Sequence, residues 1–131
     1  MRLVKVAVIQ MACSKDHNEN VDKAENMVRE AAVKGANIIL LPELFETSYF
    51  CKQQNPEFFE WARPFEKHPV LDKMSGLAKE LKVILPISFF ESSGNTFFNS
   101  LAIIDADGQK LGVYRKSHIP DGPGYQEKFY F

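Results

Sequence analysis

The sequence is poor in cysteine. Cys13 and Cys51 are the only two cysteines among 131 residues, which is too few for a disulfide framework, and their spacing matches no zinc-binding motif. The sequence therefore predicts no metal site. Scarce cysteine is typical of a reducing compartment, and we expect a cytoplasmic protein.

Long hydrophobic runs and an excess of one charge are also missing. The longest apolar stretches, such as residues 37–41 and 83–90, are far too short to span a bilayer, and the N-terminus shows no signal-peptide pattern. The 16 basic residues are balanced by 17 acidic residues and form no cluster that could neutralise a phosphate backbone. These absences argue against membrane and nucleic-acid partners and leave a small molecule as the expected partner.

The composition suits one folded domain covering residues 1–131. Hydrophobic residues make up 45% of the chain and charged residues 25%, as in ordinary globular proteins, and this length can bury a substantial core. Apolar positions three or four apart predict helices at residues 18–34 and 70–81. Asn18 or Asn20 would cap the first helix, and Gly35 would end it.

Strand patterns occupy most of the remaining chain. Strands are expected at residues 3–11, 37–41, 83–90, 96–104 and 110–115. The first two flank a helix and should be parallel, whereas turns join the last three into hairpins. The sequence thus predicts a mixed α/β sheet. Residues 44–69 form an irregular connection with at most one short helix.

Two charged side chains follow predicted strands directly. Glu43 comes after a buried strand, at the end where open α/β sheets place their ligand crevices, although surface and ion-paired carboxylates occupy such positions about as often. Lys116 follows the last strand. If the two strands are near one another, the carboxylate and the ammonium would face one crevice and keep each other charged.

Other candidates are weaker. Tyr49 and Phe50 follow a strand end closely enough to form a pocket wall, although most aromatic residues of that segment are expected to pack on the domain. His118 has no partner at ligand spacing, so a loop histidine explains it better than a metal site. Neither Cys13 nor Cys51 lies in the Gly-rich turn that would expose backbone amides beside a nucleophile.

Three motifs in matching order resemble the nitrilase superfamily. They are residues 7–10 (AVIQ), 40–45 (LLPELF) and 114–120 (YRKSHIP). Residues 49–51 (YFC), 98–100 (FNS) and the long stretch 118–131 (HIPDGPGYQEKFYF) look like the N-carbamoylputrescine amidase branch of that superfamily.

The resemblance implies the N-terminal part of an α-β-β-α sandwich, with a mixed sheet and helices on one face. It implies a Glu-Lys-Cys triad in which Glu43 is the general base and Lys116 the lysine, with Glu127 as a second glutamate that positions the site. The family's cysteine follows a further strand, so this chain would end before its nucleophile and should not turn over alone. The implied reaction is hydrolysis of N-carbamoylputrescine to putrescine, carbon dioxide and ammonia, with no cofactor and with a homo-oligomer as the intact enzyme.

Three alternatives remain open. Related amidases with β-ureidopropionase-like, ω-amidase-like or nitrilase-like activity share the triad. A non-catalytic domain would use Glu43 and Lys116 as a structural ion pair. A nucleotide-binding α/β domain is weakly supported, because no Gly-rich loop follows the first strand.

Overall fold

The computed structural model describes residues 3–131, which form a mixed α/β fold. Strand β1 (Val6–Val8) pairs in parallel with β2 (Ile38–Leu40), and helix α1 (His17–Val33) connects them. The predicted strand at residues 3–11 was too long. Its ladder is limited by β2, which has three residues because the chain turns away after Pro42.

Helix α1 begins at a different cap from the one predicted. The Asp16 carboxylate accepts hydrogen bonds from the backbone amides of Asn18 and Glu19, so neither Asn18 nor Asn20 is the cap. Asn20 is buried instead, and its amide donates to the carbonyls of Ser14 and Glu46. The predicted stop is confirmed, since Gly35 adopts a φ of +84° after the last turn.

The second half of the chain forms an antiparallel sheet next to a second helix. Helix α2 (Pro69–Leu81) precedes β3 (Leu85–Ser93), β4 (Thr96–Ile104) and β5 (Lys110–Arg115), in the spatial order β3-β4-β5. The bounds predicted for β4 and β5 are confirmed, whereas β3 starts later and runs further than predicted. A parallel bridge between Ile38 and Ile84 joins β2 to the start of β3, which links the two sheets into one mixed layer.

The main hydrophobic core lies between the helices and one face of this layer. Val28 of α1 and Met74 of α2 are fully buried against Ile39 and Leu85. On the opposite face, Val8 is 76% exposed. The expectation of helices on one face of a mixed sheet is confirmed. None of the helices within residues 3–131 is long and apolar enough to cross a membrane.

The connection between β2 and α2 contains three short 3-10 helices rather than the single short helix expected. They span Phe50–Lys52, Pro56–Trp61 and Phe65–Lys67. The first two pack with the end of the chain into a second core, which we call the aromatic cluster. Its buried members are Leu44, Phe50, Cys51, Ala62, Phe90 and Tyr130, and its partly buried members are Tyr49, Phe58, Phe59, Trp61, Phe97, Phe129 and Phe131.

Candidate active site

Glu43 is presented by a sharp turn at the end of β2. The next residue, Leu44, has a φ of +51°, a strained conformation for a side chain of this size. The backbone amide of Leu44 donates to the hydroxyl of Ser88 in β3, at 3.0 Å, and this bond holds the turn against the sheet. The carboxylate of Glu43 therefore projects at the carboxyl end of a parallel strand, as predicted.

Lys116 reaches the same place from the end of β5. Its backbone amide donates to the carbonyl of Asn99 in β4 at 2.9 Å, which extends the strand ladder by one residue. Its ammonium nitrogen Nζ lies 3.0 Å from Oε1 of Glu43 and 2.8 Å from Oε2 of Glu127. The structure thus brings Glu43 and Lys116 together, and Glu127 joins them.

Glu127 lies on a short 3-10 helix, Glu127–Phe129, near the end of the chain. Its side chain is 4% exposed, and its two carboxylate oxygens accept hydrogen bonds from Tyr49 and Lys116. The backbone amide of Gln126 donates to the carbonyl of Cys51 at 2.7 Å and fixes the start of this helix. Residue patterns alone would make Glu127 a loop carboxylate, and only the resemblance implied a site role; in the structure its side chain is buried and hydrogen-bonded to Tyr49 and Lys116.

The charges of the cluster are mutually stabilising. Burial alone would lower the pKa of Lys116, but hydrogen bonds to Glu127 and Glu43 raise this pKa above its ordinary value. Burial would raise the pKa of Glu43, but hydrogen bonds from Lys116 and Asn99 lower it below its ordinary value. At neutral pH Glu43 is therefore a carboxylate and Lys116 an ammonium.

Asn99 is a site residue that sequence reasoning missed. Its side-chain amide donates to Oε1 of Glu43 at 2.6 Å. The sequence indicates this residue only as part of the FNS motif at residues 98–100. A stronger signal was available, since a buried amide in the middle of a strand rich in apolar residues requires a hydrogen-bond partner.

The cluster opens onto a cavity of about 340 Å³. Glu43, Asn99 and Lys116 form its polar end. The rest of the wall is largely apolar and includes Leu40, Leu41, Leu101 and Tyr114. Such a cavity can hold a small molecule with one polar, reactive end and an aliphatic chain.

A larger groove of about 490 Å³ lies elsewhere, beside Phe65 and Arg115. Two of its three charged side chains are already paired, because Arg115 donates to both carboxylate oxygens of Glu91. Ser100 also donates to Glu91. The smaller cavity beside Glu43 is therefore the better candidate for an active site.

Tyr49 and Phe50 occupy different environments. The hydroxyl of Tyr49 contacts Glu127, so this side chain belongs to the polar cluster. Phe50 is 3% exposed and stacks on Phe90 within the aromatic cluster, with ring centroids 5.1 Å apart. Its ring does not line the cavity beside Glu43, because the segment after Tyr49 turns into the core. The structure thus gives Phe50 a packing position rather than the pocket-wall position expected for it.

Neither thiol is prepared for nucleophilic attack. Cys51 is fully buried, and burial together with the carboxylates of Glu127 and Glu43 raises the pKa of its thiol to about 12. Burial also raises the pKa of Cys13. Both thiols are protonated near neutral pH.

The histidines form no metal site. His118 is exposed, His17 packs edge-on against Trp61, and His68 is buried. Within residues 3–131 no three His, Cys, Asp or Glu side chains are arranged to hold a metal ion.

The mixed α/β fold that brings Glu43 and Lys116 together is the fold of the nitrilase superfamily, as comparison with solved structures shows. The crystal structure of a carbon-nitrogen hydrolase from Helicobacter pylori G27 matches with a TM-score of 0.90 and 35% identity, over 98% of this chain and 44% of that chain. Residues 5–131 match the carbon-nitrogen hydrolase family. The chain belongs to this family.

Two curated relatives are more similar in sequence. The N-carbamoylputrescine amidase of Solanum tuberosum is 62% identical over 130 residues, which cover 99% of this chain and 43% of that protein. A citrullinase of Francisella tularensis is 49% identical over 131 residues, covering 100% of this chain and 46% of that protein. The chain therefore spans less than half the length of these relatives.

Proposed function

We propose that Glu43 and Lys116 belong to an enzyme that hydrolyses N-carbamoylputrescine to putrescine, carbon dioxide and ammonia. Glu43 is its general base, and Lys116 is the cation that stabilises the oxyanion. The observation that carries the proposal is the position of Lys116, whose ammonium contacts both Glu43 and Glu127 beside a mostly apolar cavity. Membership of the carbon-nitrogen hydrolase family supports the reaction class.

In this proposal Glu43 acts as the general base and then as the general acid. It takes the proton of an attacking cysteine thiol while the sulfur adds to the ureido carbonyl, and it returns that proton to the departing nitrogen. It then activates water against the carbonyl–sulfur intermediate. Its lowered pKa keeps it ionised and ready to accept a proton at neutral pH.

Lys116 supports the same step through charge. Negative charge develops on the carbonyl oxygen during attack, and a fixed ammonium nearby stabilises it. The pKa of Lys116 is raised, so the side chain stays positive in this role. Glu127 is proposed to hold the ammonium in place, because its carboxylate is buried between Tyr49 and Lys116.

The nucleophile is proposed to be a cysteine outside residues 1–131. Cys51 is near the cluster, but its buried, high-pKa thiol is unsuited to attack. The 131-residue chain is accordingly expected to lack turnover. Activity of this chain that disappeared in Cys51→Ala would contradict this part of the proposal.

The names of the relatives favour a ureido substrate. N-carbamoylputrescine and citrulline, the compounds in the names of the Solanum tuberosum and Francisella tularensis proteins, both carry a terminal ureido group on an aliphatic chain. The largely apolar wall of the cavity suits such a chain. The chain is more similar to the Solanum tuberosum relative than to the Francisella tularensis relative, so we propose N-carbamoylputrescine, which ends in an amine, as the substrate. A putrescine product supports a role in polyamine biosynthesis, and the scarcity of cysteine supports a cytoplasmic location.

A completed chain tests this proposal. Residues 1–131 would replace the matching segment of the Solanum tuberosum relative, and the purified product, here called the completed chain, would be assayed for ammonia release. We expect turnover of N-carbamoylputrescine above turnover of citrulline, β-ureidopropionate and an ω-amide. If the folded completed chain prefers one of the other three compounds, that compound replaces N-carbamoylputrescine as the proposed substrate. If it hydrolyses none of the four compounds, the proposed reaction is contradicted.

We also propose that the complete enzyme is a homo-oligomer. Apolar side chains at Val6 and Val8 are exposed on the sheet face opposite the helices, and large exposed apolar surface is commonly covered by further protein. Light scattering of the completed chain is expected to give a mass of two or more subunits. A monomer would contradict the assembly.

A further inference from the structure

Asn99 is a buried polar residue in the middle of β4. It is 4% exposed and lies opposite Phe90 of β3 in the antiparallel ladder. Burying an amide side chain is costly unless its polar atoms find partners. The partner of its nitrogen Nδ2 is Oε1 of Glu43, at 2.6 Å.

The backbone of the same residue contacts the second charged group of the site. The carbonyl of Asn99 accepts a hydrogen bond from the backbone amide of Lys116 at 2.9 Å. One residue thus binds the side chain of Glu43 and the main chain of Lys116. These two residues are 73 positions apart in the sequence, and Asn99 fixes the place where they meet.

The two oxygens of Glu43 are consequently unequal. Oε1 accepts hydrogen bonds from Nδ2 of Asn99 and from Nζ of Lys116. None of the hydrogen bonds formed by residues 3–131 ends on Oε2, and the side chain of Glu43 is 53% exposed. Oε2 therefore keeps its lone pairs available on the open side of the carboxylate.

Glu127 shows the opposite arrangement. Its Oε1 accepts from the hydroxyl of Tyr49, its Oε2 accepts from Lys116, and its side chain is almost completely buried. A carboxylate whose two oxygens are both bound in the interior is poorly placed to take up a proton. The hydrogen bonding thus separates the roles of the two glutamates.

We propose that Asn99 is the positioning residue that makes Oε2 of Glu43 the proton-accepting oxygen of the site. This inference rests on the proposed function and deepens it. In the attack step the S–H bond breaks and the proton forms an O–H bond at Oε2. The sulfur electron pair forms the C–S bond at the ureido carbon, while the π pair of the C=O bond moves onto the carbonyl oxygen. The amide of Asn99 and the ammonium of Lys116 hold Oε1 throughout.

The first test measures Glu43 without any turnover. Carboxyl ¹³C resonances of the 131-residue protein would be titrated in the unaltered chain, Asn99→Ala, Asn99→Asp and Asn95→Ala. Asn95 lies exposed in the turn of the same β3–β4 hairpin and serves as the matched control. We expect the Glu43 pKa to rise in Asn99→Ala and to rise further in Asn99→Asp, because a second carboxylate then faces Glu43.

The second test measures catalysis by the completed chain. Asn99→Ala and Asn99→Asp should lower kcat by about 10- to 100-fold, as expected when a reacting group loses its orientation. KM for N-carbamoylputrescine should change little, and the acidic limb of the pH–rate profile should move to higher pH. Asn99→Asp has the size of asparagine, so it remains informative if the cavity in Asn99→Ala prevents folding.

The outcomes separate this inference from the proposed function. Full activity in Glu43→Gln would overturn the proposed function itself. Loss of activity in Glu43→Gln, with kcat, pH profile and Glu43 pKa unchanged in both Asn99 variants, would overturn only the role of Asn99. A change confined to KM would also overturn it, since Asn99 would then bind substrate rather than orient the base.

Discussion

The hydroxyl of Tyr49 donates a hydrogen bond of 2.9 Å to Oε1 of Glu127, a residue 78 positions further along the chain. Burial raises the pKa of Tyr49, and the bond to the Glu127 carboxylate raises it further, so the phenol remains a donor at any physiological pH. This hydrogen bond connects the loop after β2 to the short 3-10 helix Glu127–Phe129. Tyr49 therefore contributes to the site by holding a carboxylate.

Removal of this hydroxyl tests the contribution. In the completed chain, Tyr49→Phe should lower kcat by about tenfold, equivalent to about 1.4 kcal/mol, because Glu127 loses one of its two donors and holds Lys116 less firmly. Steady-state kinetics would measure the effect, and Tyr125→Phe at an exposed position is the control. A rise in KM at constant kcat would instead indicate that Tyr49 lines the substrate pocket, as predicted from the sequence.

Tyr130 anchors the segment that carries Glu127. Its hydroxyl donates to the carbonyl of Gln53 at 2.6 Å and accepts from the backbone amide of Asn55 at 2.9 Å, while its ring packs edge-on against Phe50. Tyr130→Phe should lower the free energy of unfolding by about 1–2 kcal/mol, since two backbone groups lose their partner. Urea denaturation would measure this loss.

Hydrogen exchange distinguishes a local from a global effect of Tyr130→Phe. Amides of residues 126–131 should exchange faster in this variant, whereas those of β3 and β4 should change in step with global stability. The exposed Tyr125→Phe should leave both patterns unchanged. Unaltered exchange at residues 126–131 would show that the ring alone anchors the segment.

Glu46, which is partly buried, and His68, which is fully buried, form a titratable pair with opposite pH dependence. Burial raises the pKa of Glu46 from 4.5 to about 7 and lowers the pKa of His68 from 6.5 to about 4. Nε2 of His68 lies 3.6 Å from Oε2 of Glu46, beyond hydrogen-bond distance, and both groups are neutral between these limits.

Stability should follow the pKa of each group. Between pH 4.5 and 6.5 the folded chain retains the Glu46 proton that the unfolded chain releases, so this group makes stability fall as pH rises. The unfolded chain binds the His68 proton that the folded chain excludes, so this group makes stability rise with pH. The two effects oppose each other at up to about 1.4 kcal/mol per pH unit each.

Single substitutions should expose these opposing slopes. Relative to the unaltered chain, Glu46→Gln should lose stability on acidification from pH 6.5 toward 4, and His68→Asn should lose stability as pH rises from 4.5 to 7. Thermal or urea unfolding across this range would measure the difference, with exposed Glu60→Gln as control. Parallel curves for all variants would contradict the assigned pKa directions.

Much of the fold follows from local sequence patterns. The turns around Gly94 and Gly108 delimit β4 and β5, and apolar spacing identifies both helices, because these features depend on neighbouring residues. The predicted cap of α1 was wrong because the choice among neighbouring polar residues is not decided by local sequence. Several polar residues lie within a few positions of one another, and only tertiary contacts determine that Asn20 is buried while Asp16 caps the helix.

The site was predictable only in part. Glu43 and Lys116 each follow a strand, so strand-end geometry predicts that they meet if the two strands lie near one another. Glu127 was suggested only by resemblance, because its burial depends on the aromatic cluster assembled from distant segments. The partners of Asn99 and Tyr49 were not predictable for the same reason, since a hydrogen bond between residues more than fifty positions apart leaves no periodic pattern.

Substitution of Glu43 tests most directly whether this cluster performs carbon–nitrogen hydrolysis. Single-turnover hydrolysis of N-carbamoylputrescine would be followed in the completed chain, in Glu43→Gln, and in the exposed control Glu60→Gln. The account predicts a loss of at least about 100-fold in Glu43→Gln, because no base accepts the thiol proton, and an unchanged rate in the control. Equal rates in all three proteins would contradict it.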